Sequence, residues 1–216
     1  MLNKNRRKCF MNILVLGATG RVGSHIVTYA LNDKHNVTVL VRTPEKIHIK
    51  NKNLTIIRGN VLNKDDIVRA IRGNDIVISA LNTEGTTTLS ESMPLIIKAM
   101  ENEGIKRVIT VGTAGILQSR ITPSLLRYQS SESKQKSNRA AKEHHKVYEK
   151  LKQSSLEWTI VCPTYLPEGE RVDKYRINRD YLPEGGVKIS VSDTAEFTFK
   201  QIRKRDYIKE RVGIAY

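Results

Sequence analysis

The chain has 216 residues, of which 39% are apolar and 27% charged, enough for one domain with a sizeable core and ordinary for a globular protein. No apolar run nears the eighteen or more residues of a membrane span, and Cys9 and Cys162 are too few for a disulfide framework, so both are expected as reduced thiols. The formal net charge of +15 suits phosphate-bearing partners, but no interleaved aromatics or nucleic-acid motif accompany it, so a solvated basic face is expected rather than nucleic-acid binding.

The opening residues 1–11, "MLNKNRRKCFM", lack the apolar core and cleavage site of a secretory signal and are expected as a disordered basic tail of a cytoplasmic protein, with Met1 and Met11 both open as starts. Residues 12–216 are expected to form one domain. "NILVL" (12–16) reads as a buried strand and "RVGSHIVTYALN" (21–32) as a helix. Strands follow at 36–42 and 54–59, then a helix over 64–74 closed by Gly73, and a strand at 75–81. Residues 87–103 carry a helical apolar stripe interrupted by Pro94, which either delays the helix start or kinks it. A fifth strand is read at 107–112, a polar helix at about 137–153, a sixth strand at 156–163, a late helix at 192–202 with a Ser-Asp cap, and a last strand in "VGIAY". Residues 118–142, rich in Ser, Lys and Arg without a period, read as a mobile loop or lid, and about 163–192 as a small substrate region. Continuously apolar strands separated by helices indicate an α/β protein of the Rossmann type, doubly wound, with a mainly parallel sheet covered on both faces.

Gly17, Gly20 and Gly23 lie between the first strand and the first helix, where a dinucleotide-binding loop belongs. Gly17 suits the tight turn, Gly20 a close approach to a pyrophosphate, and Gly23 close helix packing. The N–H groups that open the helix, with the helix dipole, then favour the anion. Thr19, Arg21 and Val22 belong to the same loop. At the end of the second strand, where an NAD site usually places an acid, stands Arg42, followed by Lys46. A guanidinium suits a 2′-phosphate, so the expected cofactor is NADP(H), and Arg21 could face the same phosphate. The five histidines show no metal-ligand spacing, and no metal is expected.

The spacing "GATGRVG" resembles the atypical and extended branches of the short-chain dehydrogenase/reductase superfamily. So do "IIRGNVLNKDDIVRAIRGNDIVISAL", with Asn60 in place of an Asp, "KRVITVGTAGIL", "SSLEWTIVCPTYLPEG" and "ISVSDTAEFTFKQI". Size and order are similar to the biliverdin reductase B/flavin reductase-like group and its NmrA-like relatives. The resemblance implies that Gly17 to Gly23 hold the pyrophosphate and that Arg42 and Lys46 meet the 2′-phosphate. It further implies Asn60 and Val61 at adenine, Ala80, Leu81 and Asn82 at the ribose, and Thr113 near the nicotinamide. Pro163, Thr164 and Tyr165 would border the nicotinamide and the substrate.

The superfamily's catalytic Tyr-x-x-x-Lys pair has a match at Tyr148 and Lys152, but at the wrong end of its helix, so Tyr148 is expected to pack instead. Counting back from Pro163 places the family's Lys position near His144 and its Tyr position near Ala140. His144 could supply a proton, with Thr113 beside it as the second catalytic candidate. The resulting expectation is an NADPH-dependent reductase that passes hydride to a flat soluble acceptor (a flavin, quinone or tetrapyrrole, anionic given the basic loop). The alternative is a non-catalytic NADP-binding sensor of the NmrA-like type. A sugar-nucleotide epimerase fits less well, because little chain follows Pro163 to build a substrate domain. The assembly is expected to be a monomer or a small homo-oligomer.

Overall fold

The computed structural model describes residues 10–83, 85–133 and 137–216. The tail through Cys9, expected as disordered, lies outside the described residues. Eight strands form one sheet: β1 (Asn12–Leu16), β2 (Asn36–Val41), β3 (Leu54–Arg58), β4 (Ile76–Ser79), β5 (Arg107–Val111), β6 (Glu157–Pro163), β7 (Arg176–Arg179) and β8 (Glu210–Ala215). Their order is β3-β2-β1-β4-β5-β6-β8-β7, parallel throughout except for the β7–β8 pair. The helices are α1 (Arg21–Asn32), α2 (Lys64–Ile71), α3 (Thr88–Asn102), α4 (Arg139–Gln153) and α5 (Val191–Lys200).

The apolar strands explain the two layers. Successive side chains of a strand point to opposite faces, so Ile13 and Val15 pack with α1 and α5, while Leu14 and Leu16 pack with α2, α3 and α4. The same alternation recurs in β6, where Val161 joins the first layer and Ile160 and Cys162 the second. Both faces are therefore covered and the fold is doubly wound, as the sequence predicted. Its strand order reverses between β1 and β4, which opens a crevice at the carboxyl ends of those strands.

Local differences from the sequence reading have physical causes. The helix over 87–103 runs unbroken through Pro94. Pro94 lies on the exposed side, where water can take the Ser90 carbonyl that proline cannot bond. The cap of α5 is Ser190, whose hydroxyl accepts from the Asp193 N–H at 3.0 Å, so the helix begins before the Ser192–Asp193 pair. β7 was not anticipated: "RINR" has one apolar residue and no period, and it survives as an antiparallel edge through its ladder to β8.

The expected loop over 118–142 carries more structure than its composition suggests. Gln118 bridges to Leu126, a 3-10 turn spans Arg127–Gln129, and residues 139–142 already belong to α4. The Glu132 carboxylate ties the segment together by accepting from the Arg120 N–H at 2.7 Å and from Arg127 at 3.0 Å.

Candidate functional site

The carboxyl ends of β1, β2, β4, β5 and β6 open onto two cavities. The smaller, about 310 Å³, is bounded by Gly17, Thr19, Gly20, Arg42, Lys46, Asn60, Val61, Ala80, Leu81 and Asn82, ten of the residues singled out from the sequence. Leu40, Val41, Gly59, Leu62 and Thr88 complete it without having been anticipated. The larger, about 650 Å³, takes Thr113, Thr164 and Tyr165 from the expected set.

The glycine loop is built for close approach. Gly17 has φ +79, a left-handed conformation, and a Cβ there would collide with the Ala80 carbonyl. A Cβ on Gly23 would collide with the Gly17 carbonyl, so this position keeps helix and loop in contact. The Gly20 N–H donates to the Gly17 carbonyl at 2.9 Å and closes the turn. No side chain caps α1 and no acid sits in its first turn. Its first N–H groups therefore lack intrahelical acceptors and remain available to an anion. This cradle fits a pyrophosphate on steric and electrostatic grounds together.

Arg42 and Lys46 are both exposed and flank the smaller cavity. Arg21 does not join them. Its guanidinium donates to the Leu166 carbonyl at 2.9 Å and lies 3.4 Å from the Glu168 carboxylate, on the β6 side of the loop. In this structure it thus lies apart from Arg42 and Lys46, the pair expected at the 2′-phosphate. Val22 and Gly23 contribute backbone and packing, and the Val22 side chain belongs to the α1 core layer. The carboxamide oxygen of Asn60 accepts from the Leu62 N–H at 3.0 Å, an Asx turn that shapes the floor of the smaller cavity.

Around the larger cavity, Thr113 caps a short 3-10 turn by accepting from the Gly115 N–H at 3.4 Å. Thr164 donates to the Val187 carbonyl at 3.2 Å, and Tyr165, 66% exposed, stands at the rim. Pro163 ends β6 and is buried, lining neither cavity. Much of the wall is small: Ala114, Gly115, Ala140, Ala141, Gly185 and Gly186. Tyr128, Arg127 and Glu132 also belong to it and were missed, because they come from an aperiodic stretch with no motif. Glu132 would be raised by burial, but hydrogen bonds from Ser119 and Arg120 and the charge of Arg127 hold it below the usual carboxylate range.

The catalytic candidates divide. Thr113 is in the wall of the larger cavity. His144 lines neither cavity, makes no hydrogen bond among the described residues, and is pushed down to about 4 by burial, against the opposing charge of Glu143. It is thus held as a neutral imidazole near neutral pH, outside the walls of both cavities. Tyr148 also lines neither cavity; its ring packs edge-on against Trp158 at 5.7 Å between centroids, with Arg211 4.5 Å above it. The Tyr148–Lys152 match is thus a packing feature. Cys162 is a buried free thiol pushed up to about 12 by burial. Among the described residues, no group of three potential metal ligands occurs and no helix is long and apolar enough to cross a membrane.

A glycine-turned crevice at the switch point of a doubly wound sheet defines a dinucleotide-binding Rossmann-type protein. The chain belongs to the NAD(P)H-binding family, whose pattern matches residues 17–205. That membership agrees with the resemblance to atypical short-chain dehydrogenases/reductases. Among solved structures it is similar to a Bacteroides thetaiotaomicron protein named as an epimerase (30% identity, 96% of this chain and 98% of the other, TM-score 0.84). It is also similar to a Streptococcus pneumoniae protein named as an NADH-flavin reductase (26% identity, 95% and 99%, TM-score 0.80). Among curated proteins it is 32% identical over 106 residues to the photosystem II assembly factor Ycf39 of Synechocystis, covering 46% of this chain and 32% of that protein. The match thus spans about a third of that relative's length.

Proposed function

We propose that the chain is an NADPH-dependent reductase that passes hydride to a flat two-electron acceptor of the flavin, quinone or tetrapyrrole kind. The observation that carries this reading is the pairing of the two cavities. One holds the glycine cradle with Arg42 and Lys46, and the other lies beyond Thr113 with about 650 Å³ of room between small side chains. A dinucleotide bound across them supplies a hydride equivalent. Gly17, Gly20 and the α1 N-terminus would hold its pyrophosphate, and Arg42 and Lys46 a 2′-phosphate. Ala80, Leu81 and Asn82 would border the ribose, Asn60 and Val61 the adenine, and Thr113, Thr164 and Tyr165 the reacting end. Ala140 and Ala141 leave space where bulkier residues would intrude, which supports an acceptor of more than a few atoms. A recessed cavity, rather than a flat exposed face, favours an enzyme over an NADP-binding sensor.

The test is titration calorimetry with NADPH and NADH, followed by NADPH oxidation with FMN and with a simple quinone. Binding that favours NADPH together with acceptor turnover is the expected result. NADPH binding without turnover would replace the reductase with the sensor.

A further inference from the structure

We propose that Tyr128, brought in by the segment after β5, is the proton donor of this site, with His145 behind it as the positioning residue. The inference rests on the reductase reading above.

The position of Tyr128 is fixed by packing. It sits in the 3-10 turn Arg127–Gln129, is 8% exposed, and forms part of the wall of the larger cavity. A Cβ built on Gly115 would lie 3.5 Å from Tyr128 Cβ, 3.0 Å from Ala141 Cβ and 3.7 Å from Thr113 Cγ2. Tyr128, Thr113 and the first turn of α4 therefore meet around one point. Ala140, in that same turn, also lines the cavity and has no polar side chain to offer there, so Tyr128 supplies a hydroxyl beside this turn.

The chemistry behind the ring is what a donor needs. The Tyr128 hydroxyl lies 2.9 Å from His145 Nδ1, and the rings meet edge-on at 5.7 Å. His145 Nε2 lies 3.6 Å from a Glu149 carboxylate oxygen one helical turn further on. The His145 side chain is 29% exposed and Glu149 46%, so phenol, imidazole and carboxylate lead in sequence from the cavity wall to solvent. Among the described residues, the other ionisable groups in the wall are placed differently: Arg127 and Glu132 pair at 3.0 Å, and Tyr165 stands exposed at the rim. Reduction of a quinone by NADPH takes one hydride and one further proton. The Tyr128 O–H bond breaks and its proton goes to the acceptor's carbonyl oxygen as the hydride arrives. The phenolate takes a proton from His145, which regains one from water beside Glu149. The balance is NADPH, quinone and one proton giving NADP and hydroquinone.

The test uses the whole chain, NADPH and a 1,4-naphthoquinone, with the variants Tyr128→Phe and His145→Gln. The readouts are NADPH affinity by calorimetry, kcat, its solvent deuterium isotope effect, and the ring-nitrogen NMR signals of His145 without cofactor. Tyr128→Phe is expected to keep NADPH affinity within about twofold, lower kcat by at least about tenfold, abolish the isotope effect, and shift the His145 signals. His145→Gln, which leaves the ring in place, is expected to lower kcat in the same manner. It decides the matter if Tyr128→Phe fails to bind NADPH. A kcat within about twofold of the parent in the variant that binds NADPH, an unaltered isotope effect there, or His145 signals indifferent to Tyr128→Phe would each overturn the proposal. If the parent binds NADPH and reduces no acceptor, the reductase reading falls and this proposal with it; if only the variants behave like the parent, this proposal falls alone.

Discussion

At the scale of single residues, glycines were easy to read and side chains that travel were not. Gly17 and Gly23 stand where a Cβ would collide with backbone, a constraint written into the spacing of the loop. Arg42 follows its strand directly, so its place beside the smaller cavity was also legible. Arg42→Asp is expected to turn a preference for NADPH into one for NADH, because a carboxylate accepts from a ribose hydroxyl and repels a phosphate. Calorimetry with both dinucleotides checks it, and an unchanged ratio would remove Arg42 from the 2′-phosphate site. Arg21 and His144 show what a sequence position leaves open. Sequence places both residues near the site, whereas in the structure the Arg21 guanidinium bonds the Leu166 carbonyl and His144 lines neither cavity.

At the scale of elements, periodicity placed both ends of the main helices to within a few residues, while β7 and the 118–133 segment depend on distant partners. The clearest case is the start of α5. Asp193 is fully buried and accepts from the Tyr216 hydroxyl at 2.6 Å, from the backbone N–H groups of Val172 and Asp173 at 3.0 and 3.1 Å, and from the Ser190 hydroxyl at 3.2 Å. Burial would raise this carboxyl, but the four donors outweigh it and hold it below the usual range. One side chain thereby joins the α5 cap, the segment before β7 and the residue after β8. Asp193→Ala leaves these donors without their acceptor and is expected to cost roughly 3 kcal/mol, read from urea unfolding. A change under about 0.5 kcal/mol would show that the donors find water instead.

At the scale of the whole molecule, the buried titratable groups set the response to acid. His144 is lowered from 6.5 to about 4 by burial, and His35 is lowered by burial and Arg203 against the pull of Asp33. The unfolded chain therefore binds protons at these sites that the folded one refuses, so the stability contributed by His144 is present above pH 6.5 and lost toward pH 4, and His35 acts in the same direction. Asp193, Glu132, Glu143 and Glu157, all held below their ordinary values, extend the loss further down. The thermal midpoint is expected to fall steadily from pH 6.5 downward, with a shallower slope in His144→Gln. Identical slopes would place the His144 titration at its unfolded value.

The sequence by itself determined the doubly wound sheet, the dinucleotide loop and most of the smaller cavity, because those depend on short-range patterns: alternating apolar runs, glycine spacing and the residue that ends a strand. The larger cavity was settled only in three dimensions. Its walls come from the ends of β5 and β6, the 3-10 turn at Tyr128, the first turn of α4 and the glycines before α5. Segments so far apart in the chain share no local period. Tyr128 enters the proposal only because folding sets its hydroxyl against His145, seventeen residues on, and its Cβ beside Gly115.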